Sequence, residues 1–202
     1  MTTRDGSSRR PPARRGEGER LRGEIVDAAL RLLAGTGNTA TLSLRAVARE
    51  VGVAATSIYL HFPDIDALLL EVKTQLSERL ARTECAAADA AGPDPFDRLL
   101  AMAHGYVRFG MEEPGLYHVI FSSPNLSPKY LQMGVYIGRE AFERVRQEVA
   151  ALVGEESSHL VTTHFWTALH GLVVLRTTRT RFPWPDLDAE VEDLTRRLVG
   201  RT

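Results

Sequence analysis

Residues 42 to 62 read LSLRAVAREVGVAATSIYLHF, and the stretch pivots on Gly52. Before it, Leu44, Val47, Ala48 and Val51 recur at helical spacing behind Ser43, a side chain suited to capping a helix N-terminus. After it, Ala54 to His61 form a second short helical segment, closed by Phe62 and Pro63. Helices this close in sequence are joined by a left-handed bend, a conformation that glycine adopts without the steric cost of a Cβ. Val53, directly after the bend, returns an apolar side chain to the core, so the angle between the helices is fixed by chemistry internal to the stretch.

The rest of the 202-residue chain keeps to the same period. Leu21, Ile25, Ala28, Ala29 and Leu32 define a helix from Glu19 that stops at Gly35 and Gly37. Asp64 caps a long helix whose stripe is Ile65, Leu68, Leu69, Val72, Leu76 and Leu80, running on to the break at residues 92–95. Further helices are expected at about 95–112, 114–121, 128–153, 157–180 and 186–200, divided by EEPG, SSPNLSP, GEESS and RFPWPD. No segment has the alternation of a strand. The fold class is all-α: an N-terminal three-helix head over 19–63 and a larger helical body over 64–202, preceded by a basic arm at 1–18 too poor in apolar residues to order itself.

Net charge is −1, but its distribution is uneven: residues 1–62 carry ten arginines against six acidic residues, and the remainder fifteen basic against twenty acidic. The basic end is the one with the glycine bend. Cys85 is the single cysteine and has no partner for an internal disulfide, which fits a reducing cytoplasm, and no run of 18 apolar residues offers a membrane span.

Two short helices about a tight glycine turn form a helix-turn-helix, whose second helix enters the DNA major groove. Small residues Ala54, Ala55, Thr56 and Ser57 let that helix approach the groove floor, while Tyr59 and His61 reach toward phosphate oxygens at its walls. Tyr59 as head core is the competing assignment. The stretch TLSLRAVAREVGVAATSIYLHFPDIDALLLEV resembles the head motif of the TetR family of bacterial transcriptional regulators. That resemblance implies that Ser43, Thr56, Ser57, Tyr59 and His61 match DNA-facing positions, and that Arg45 matches a position able to reach a base edge. The sequence departs from the family pattern at Ile65, where a lysine is common; losing one phosphate contact per subunit lowers the salt slope of binding by about two per dimer. Base readout then rests on Arg45, on groove shape, and on arm arginines if these enter the minor groove; a merely solubilising arm is the other possibility.

In the body, Met102, His104, Tyr106, Phe109, Tyr117, Phe121, Trp166 and His170 are candidate lining for a pocket that takes a small, partly hydrophobic effector, each also readable as plain core. Residues 157–180 are apolar on more than one face, which calls for partners on two sides. Phe165, Leu169, Leu172 and Val173, with Val191, Leu194 and Leu198 of the last helix, are expected to pair two copies in a four-helix interface, setting the heads about one DNA turn apart, roughly 34 to 36 Å. WTALHGL together with EPGLYHVIFSSP is similar to a Trp-x-x-x-His-Gly C-terminal subgroup of the same family; Gly171 would allow close helix approach, and Trp166 and His170 face either pocket or interface.

The resulting reading is a homodimeric, ligand-released repressor that binds a (pseudo)palindromic double-stranded DNA operator in the cytoplasm. A two-state body would couple effector to operator by about 1 to 3 kcal/mol, with the long fourth helix as lever. No cofactor, metal or catalytic residue is expected: the six histidines form no HExxH pattern, and neither a glycine-rich phosphate loop nor a nucleophile elbow is present. The rival is a helical small-molecule-binding or protein-interaction module with weak or no DNA binding.

Overall fold

The computed structural model describes residues 17–121 and 137–200, and among these every regular element is helical. The helices are α1 (Glu17–Ala34), α2 (Leu44–Val51), α3 (Ala55–Tyr59), α4 (Ile65–Ala91), α5 (Pro95–Glu112), α6 (Pro114–Phe121), α7 (Arg139–Val153), α8 (Glu155–Thr178) and α9 (Leu187–Leu198), with one turn of 3₁₀ helix at Thr39–Thr41. The first helix begins two residues ahead of the expected Glu19; the arm at 1–16 and the 128–136 part of the helix expected at 128–153 lie outside the described residues, and residues 137–138 are a turn with Gly138 at φ 88°, so that helix starts at Arg139.

Local chemistry sets the ends. Ser43 Oγ accepts from the Ala46 N–H at 3.2 Å and Asp64 from the Ala67 N–H at 2.7 Å, each meeting a donor that the first helical turn leaves unpaired. Gly52 closes α2 at φ 79°, and its N–H and that of Val53 both donate to the Ala48 carbonyl at 3.0 Å, so the bend is hydrogen-bonded on its inner side.

Two cores organise the chain. The first joins Ile25, Val26, Ala29 and Leu33 of α1 with Val47 and Ala48 of α2, Ile58 of α3 and Phe62. It does not close at residue 63, because Leu68, Val72 and Leu76 of α4 and Leu116 and Val119 of α6 belong to it too. The second gathers Leu80, Phe96, Leu99, Ala103, Tyr106, Val107, Tyr117, Val149, Phe165, Leu169, Leu172 and Val173 around α5. Two helices therefore run through both cores. One is α4, and the other is α6, whose Tyr117 lies in the second core while its neighbours Leu116 and Val119 lie in the first.

The interface expected from the sequence is corrected here. Phe165, Leu169, Leu172, Val173 and Val191 are buried in the chain's own second core and offer no free surface to another copy, whereas Leu194 and Leu198 pack against that core with part of their surface exposed. The apolar spread of 157–180 does have a second face, but that face is Leu160, His164, Thr167, Gly171 and Leu175, of which Leu160 is 61% and Leu175 48% exposed. A Cβ at Gly171 meets nothing within 4 Å among the described residues, consistent with an outward position.

Candidate nucleic-acid interface and ligand site

The head presents α3 outward. Ile58 is buried as the keystone of this short helix, which leaves Ala54 and Thr56 exposed, Ala55 and Ser57 half-exposed, and Tyr59 53% exposed. Tyr59 is thus on the surface, not in the core, whereas Phe62 is buried at 1% and carries the Arg22 guanidinium 4.4 Å above its ring. His61 is half-buried, its ring beside the start of α1 and its carbonyl accepting from Arg22 at 3.4 Å. Arg45 is exposed, with no hydrogen bond or ion pair to another described residue, while Ser43 beside it is exposed but spends its oxygen on the α2 cap. Ile65, the departure from the family pattern, packs against the head core as an apolar residue. The head thus places small side chains and two guanidinium groups, Arg45 and Arg49, neither bonded to another described residue, on solvent-exposed positions of α2 and α3.

Of the eight candidate lining residues in the body, five come together. Tyr106 of α5 and Tyr117 of α6 share a hydrogen bond between hydroxyls at 2.8 Å, and the Tyr117 hydroxyl meets His170 Nδ1 of α8 at 2.7 Å. Phe121 lies 4.7 Å from the Tyr117 ring and 5.9 Å from the Tyr106 ring, with Trp166 6.3 Å beyond it. The three others stand elsewhere. Met102 and Phe109 are buried on α5, Phe109 under the Arg79 guanidinium, and His104 points to Asp188 of α9 at 3.2 Å. Two open surface grooves, of about 520 Å³ between α4 and the start of α7 and about 770 Å³ beyond the end of α8, are lined by none of the eight. In the five-residue cluster the rings lie against one another, with centroids 4.7 to 6.3 Å apart.

Burial pushes both tyrosine hydroxyls well above their ordinary range, so they remain neutral donors and acceptors, and burial holds His170 below its usual value. With His170 neutral and accepting at Nδ1, Tyr117 donates to it and Tyr106 donates to Tyr117, which leaves the Tyr106 oxygen as the acceptor at the inner end of the chain.

Sequence reasoning passed over two charged residues on the inner side of α4. Lys73 and Glu84 are each 6% exposed, and neither has a hydrogen bond or ion pair to another described residue. Burial lowers the Lys73 ammonium below its ordinary value and raises the Glu84 carboxyl to about 8. A signal for Glu84 existed, since it extends the Leu76, Leu80 spacing by one more step of four. Among the described residues no group of histidine, cysteine and acidic side chains is arranged to hold a metal ion, and no helix is long and apolar enough to cross a membrane.

An all-α chain with a capped, glycine-bent helix-turn-helix head on a helical body is a DNA-binding regulator by architecture. Residues 25–72 match the family described as bacterial regulatory proteins of the tetR family, and residues 99–202 match the Tetracyclin repressor-like C-terminal domain; the chain belongs to the TetR family of DNA-binding transcriptional regulators. Over 54 residues it is 50% identical to an uncharacterized HTH-type transcriptional regulator of Haemophilus influenzae, a match spanning 27% of this chain and only 26% of that relative. The fold is shared more widely. A Rhodococcus sp. RHA1 protein of unknown function superposes with TM-score 0.72 at 21% identity over 95% of this chain and 98% of that one. The fatty acid degradation regulator FadR of Bacillus halodurans superposes with TM-score 0.67 at 18% identity over 93% and 97%.

Proposed function

We propose that the protein is a homodimeric repressor that binds a (pseudo)palindromic operator in the cytoplasm and is released by a small, partly hydrophobic effector, with no catalytic step of its own. The observation that carries the DNA half of this reading is the solvent-facing side of α2 and α3: Ala54, Thr56 and Ser57 allow close approach to base edges, Tyr59 and His61 flank them for phosphate contact, and Arg45 is unengaged. Because alanine reads only a thymine methyl and Ser or Thr bonds to several bases, discrimination concentrates on Arg45. Arg45→Ala is expected to cost about 1 to 3 kcal/mol at one base pair of each half-site and to relax the preference there. A gel-shift series on DNA from the promoter beside the gene, with single-position operator variants, measures it. Unchanged discrimination in the variant would overturn the assignment, and binding to that DNA that does not weaken as salt rises would remove the DNA-binding reading altogether.

The dimer in this reading forms on the outward face of α8, Leu160, His164, Thr167, Gly171 and Leu175, with α9 alongside. Small residues at Thr167 and Gly171 permit close helix approach, and the flanking leucines supply apolar area. Leu160→Glu with Leu175→Glu is expected to leave the fold intact, because both side chains are exposed, and to give a monomer by light scattering with operator affinity reduced by about a hundredfold through loss of the linked second half-site. A dimer that survives both changes would place the interface elsewhere.

Release of operator follows from the two helices shared by the cores. Tyr117 and Phe121 belong to the aromatic cluster, and their neighbours Leu116 and Val119 on α6 belong to the head core, so parting the rings to admit an effector displaces an element on which the head rests. In this reading α6 acts as a lever together with α4.

A further inference from the structure

Beyond the C-terminal end of α8 the chain fixes aromatic side chains in place and leaves them in water. Phe182, 57% exposed, and Leu175, 48% exposed, form with Trp184 the apolar floor of the open groove of about 770 Å³, which Arg179 and Arg181 also line. The floor is held from three sides. Trp184 donates its indole N–H to the Arg179 carbonyl at 3.0 Å, its ring lies 4.5 Å from that of Phe182, and the Arg176 guanidinium sits 5.3 Å from it. Arg176 is itself fixed by Glu190 and by the Pro185 carbonyl. An exposed apolar surface built this firmly has the character of a docking site.

Charge identifies what fits there. On α8 and α9 the acidic side chains are otherwise engaged: Glu155 with Arg146, Asp188 with His104, Glu190 with Arg176, Glu192 with Arg196 and Asp193 with Arg197. Glu156 is left over, exposed in the first turn of α8 with no hydrogen bond or ion pair to another described residue. The guanidinium groups of Arg179 and Arg181 are left over at the opposite end, equally without a partner among the described residues. Leu160, 61% exposed, follows Glu156 by one turn on the same face. We propose that the groove of each copy receives Glu156 and Leu160 of a second copy, the leucine seated on Phe182 and Trp184 and the carboxylate held by Arg179 and Arg181. The proposal rests on the reading that two copies pair through the outward face of α8, and it names the side chains that make the pairing selective for this chain. An antiparallel pair comes closest at the small residues Thr167 and Gly171. Glu156 and the groove lie about 15 to 20 Å from that centre on opposite sides, so two-fold symmetry brings the partner's Glu156 to the groove at both ends. At a crossing angle near 20° the two axes separate by only about 6 Å more over that distance, within the reach of an arginine side chain. A crossing near 50° would part them by about 15 Å and leave the groove empty.

The test is a charge swap divided between two full-length chains, one carrying Glu156→Arg and the other Arg179→Glu with Arg181→Glu. Alone, each variant sets like charges against one another at both ends of the pair. Mixed, the two restore opposite charges at both ends, because the new arginine meets the new glutamates and the unmodified Glu156 meets the unmodified arginines. Sedimentation at low salt is expected to show each variant associating with itself about thirtyfold more weakly than the unmodified chain. The equimolar mixture should recover the unmodified strength as heterodimer, identified by native mass spectrometry, and that recovery also shows that both variants are folded. Raising the salt should shrink the loss in the separate variants, since the charges lie at the surface. Self-association of either variant at the unmodified strength, or a mixture that associates no better than its parts, overturns the proposal. If at the same time Leu160→Glu with Leu175→Glu gives a monomer, the pairing through α8 stands without the groove contact. An unmodified chain that stays monomeric overturns both and leaves the groove to a different partner.

Discussion

Gly115→Ala is expected to lower the stability of the protein by about 3 kcal/mol, at the upper end of what overpacking a close contact costs. A Cβ at this position would lie 2.3 Å from the Ala34 carbonyl oxygen and 3.1 Å from its carbon, both main-chain atoms that cannot rotate aside. The C-terminal end of α1 would have to move away from α6. On the facing side Gly37, at φ 60°, is equally confined, since its own Cβ would sit 3.0 Å from the Gly115 carbonyl oxygen. This contact joins the head to α6. Gly110→Ala provides the contrast. Its Cβ would meet Val173 Cγ1 at 2.4 Å, Val173 Cγ2 at 3.1 Å and the Tyr117 ring at 3.0 Å, all side-chain atoms, which yield by small shifts of α8 and the ring without displacing a main-chain carbonyl. Urea denaturation of the two variants separates the cases: a smaller loss for Gly115→Ala than for Gly110→Ala would show that α1 and α6 yield to each other more readily than their backbone separation implies.

Glu84 should make the protein less stable as the solution becomes more alkaline over a range where most carboxylates have finished titrating. Unfolded, its carboxyl titrates near the ordinary 4.5; folded, near 8. The native state therefore holds a proton that the unfolded chain has already lost, and stability falls as pH rises through that interval. The stabilisation associated with the protonated form is complete below about 4.5 and gone once pH has passed 8. Between pH 5 and pH 8 the loss amounts to about 3 kcal/mol. Glu143 beside Arg146 and Asp193 beside Arg197, both held below the ordinary carboxylate value by the arginine hydrogen bond, change with pH in the opposite sense, so the informative quantity is the difference between the unmodified chain and Glu84→Gln at each pH. That difference should move by about 3 kcal/mol in favour of the glutamine variant on going from pH 5 to pH 8, followed by denaturant melts in matched buffers. A constant difference would mean that Glu84 ionises as an ordinary surface carboxyl does.

Much of the head was legible because its determinants are local. Ser43, Gly52 and Asp64 each act within four residues of themselves, and the apolar stripe of α2 names its buried face without reference to anything distant. The body was harder to read, and the apolar faces of residues 157–180 show why. Periodicity identified Phe165, Leu169, Leu172 and Val173 as a coherent apolar surface, but apolar character alone does not say whether the surface covering it belongs to the same chain or to a second one. In the structure α5 covers it. The outward face, with Thr167, Gly171 and His164 between leucines, has too mixed a composition to stand out against that stronger stripe.

His104 and Phe109 illustrate the same limit within one helix. Both are within a turn of Tyr106 in sequence, yet only Tyr106 reaches α6 and α8, because the 100° advance per residue sends His104 toward Asp188 on α9 and Phe109 beneath Arg79.

What the chain's sequence determined by itself is the set of helices, their caps, the glycine bend and the small-residue surface that follows it, all consequences of interactions spanning one or two turns. Only the tertiary structure decided which apolar faces are internal, that α6 belongs to both cores, and that Glu84 is buried without an ion pair to another described residue. These depend on which helix lies against which, and the free energy of burying a side chain is fixed by its neighbours in space, whose identities no local spacing encodes.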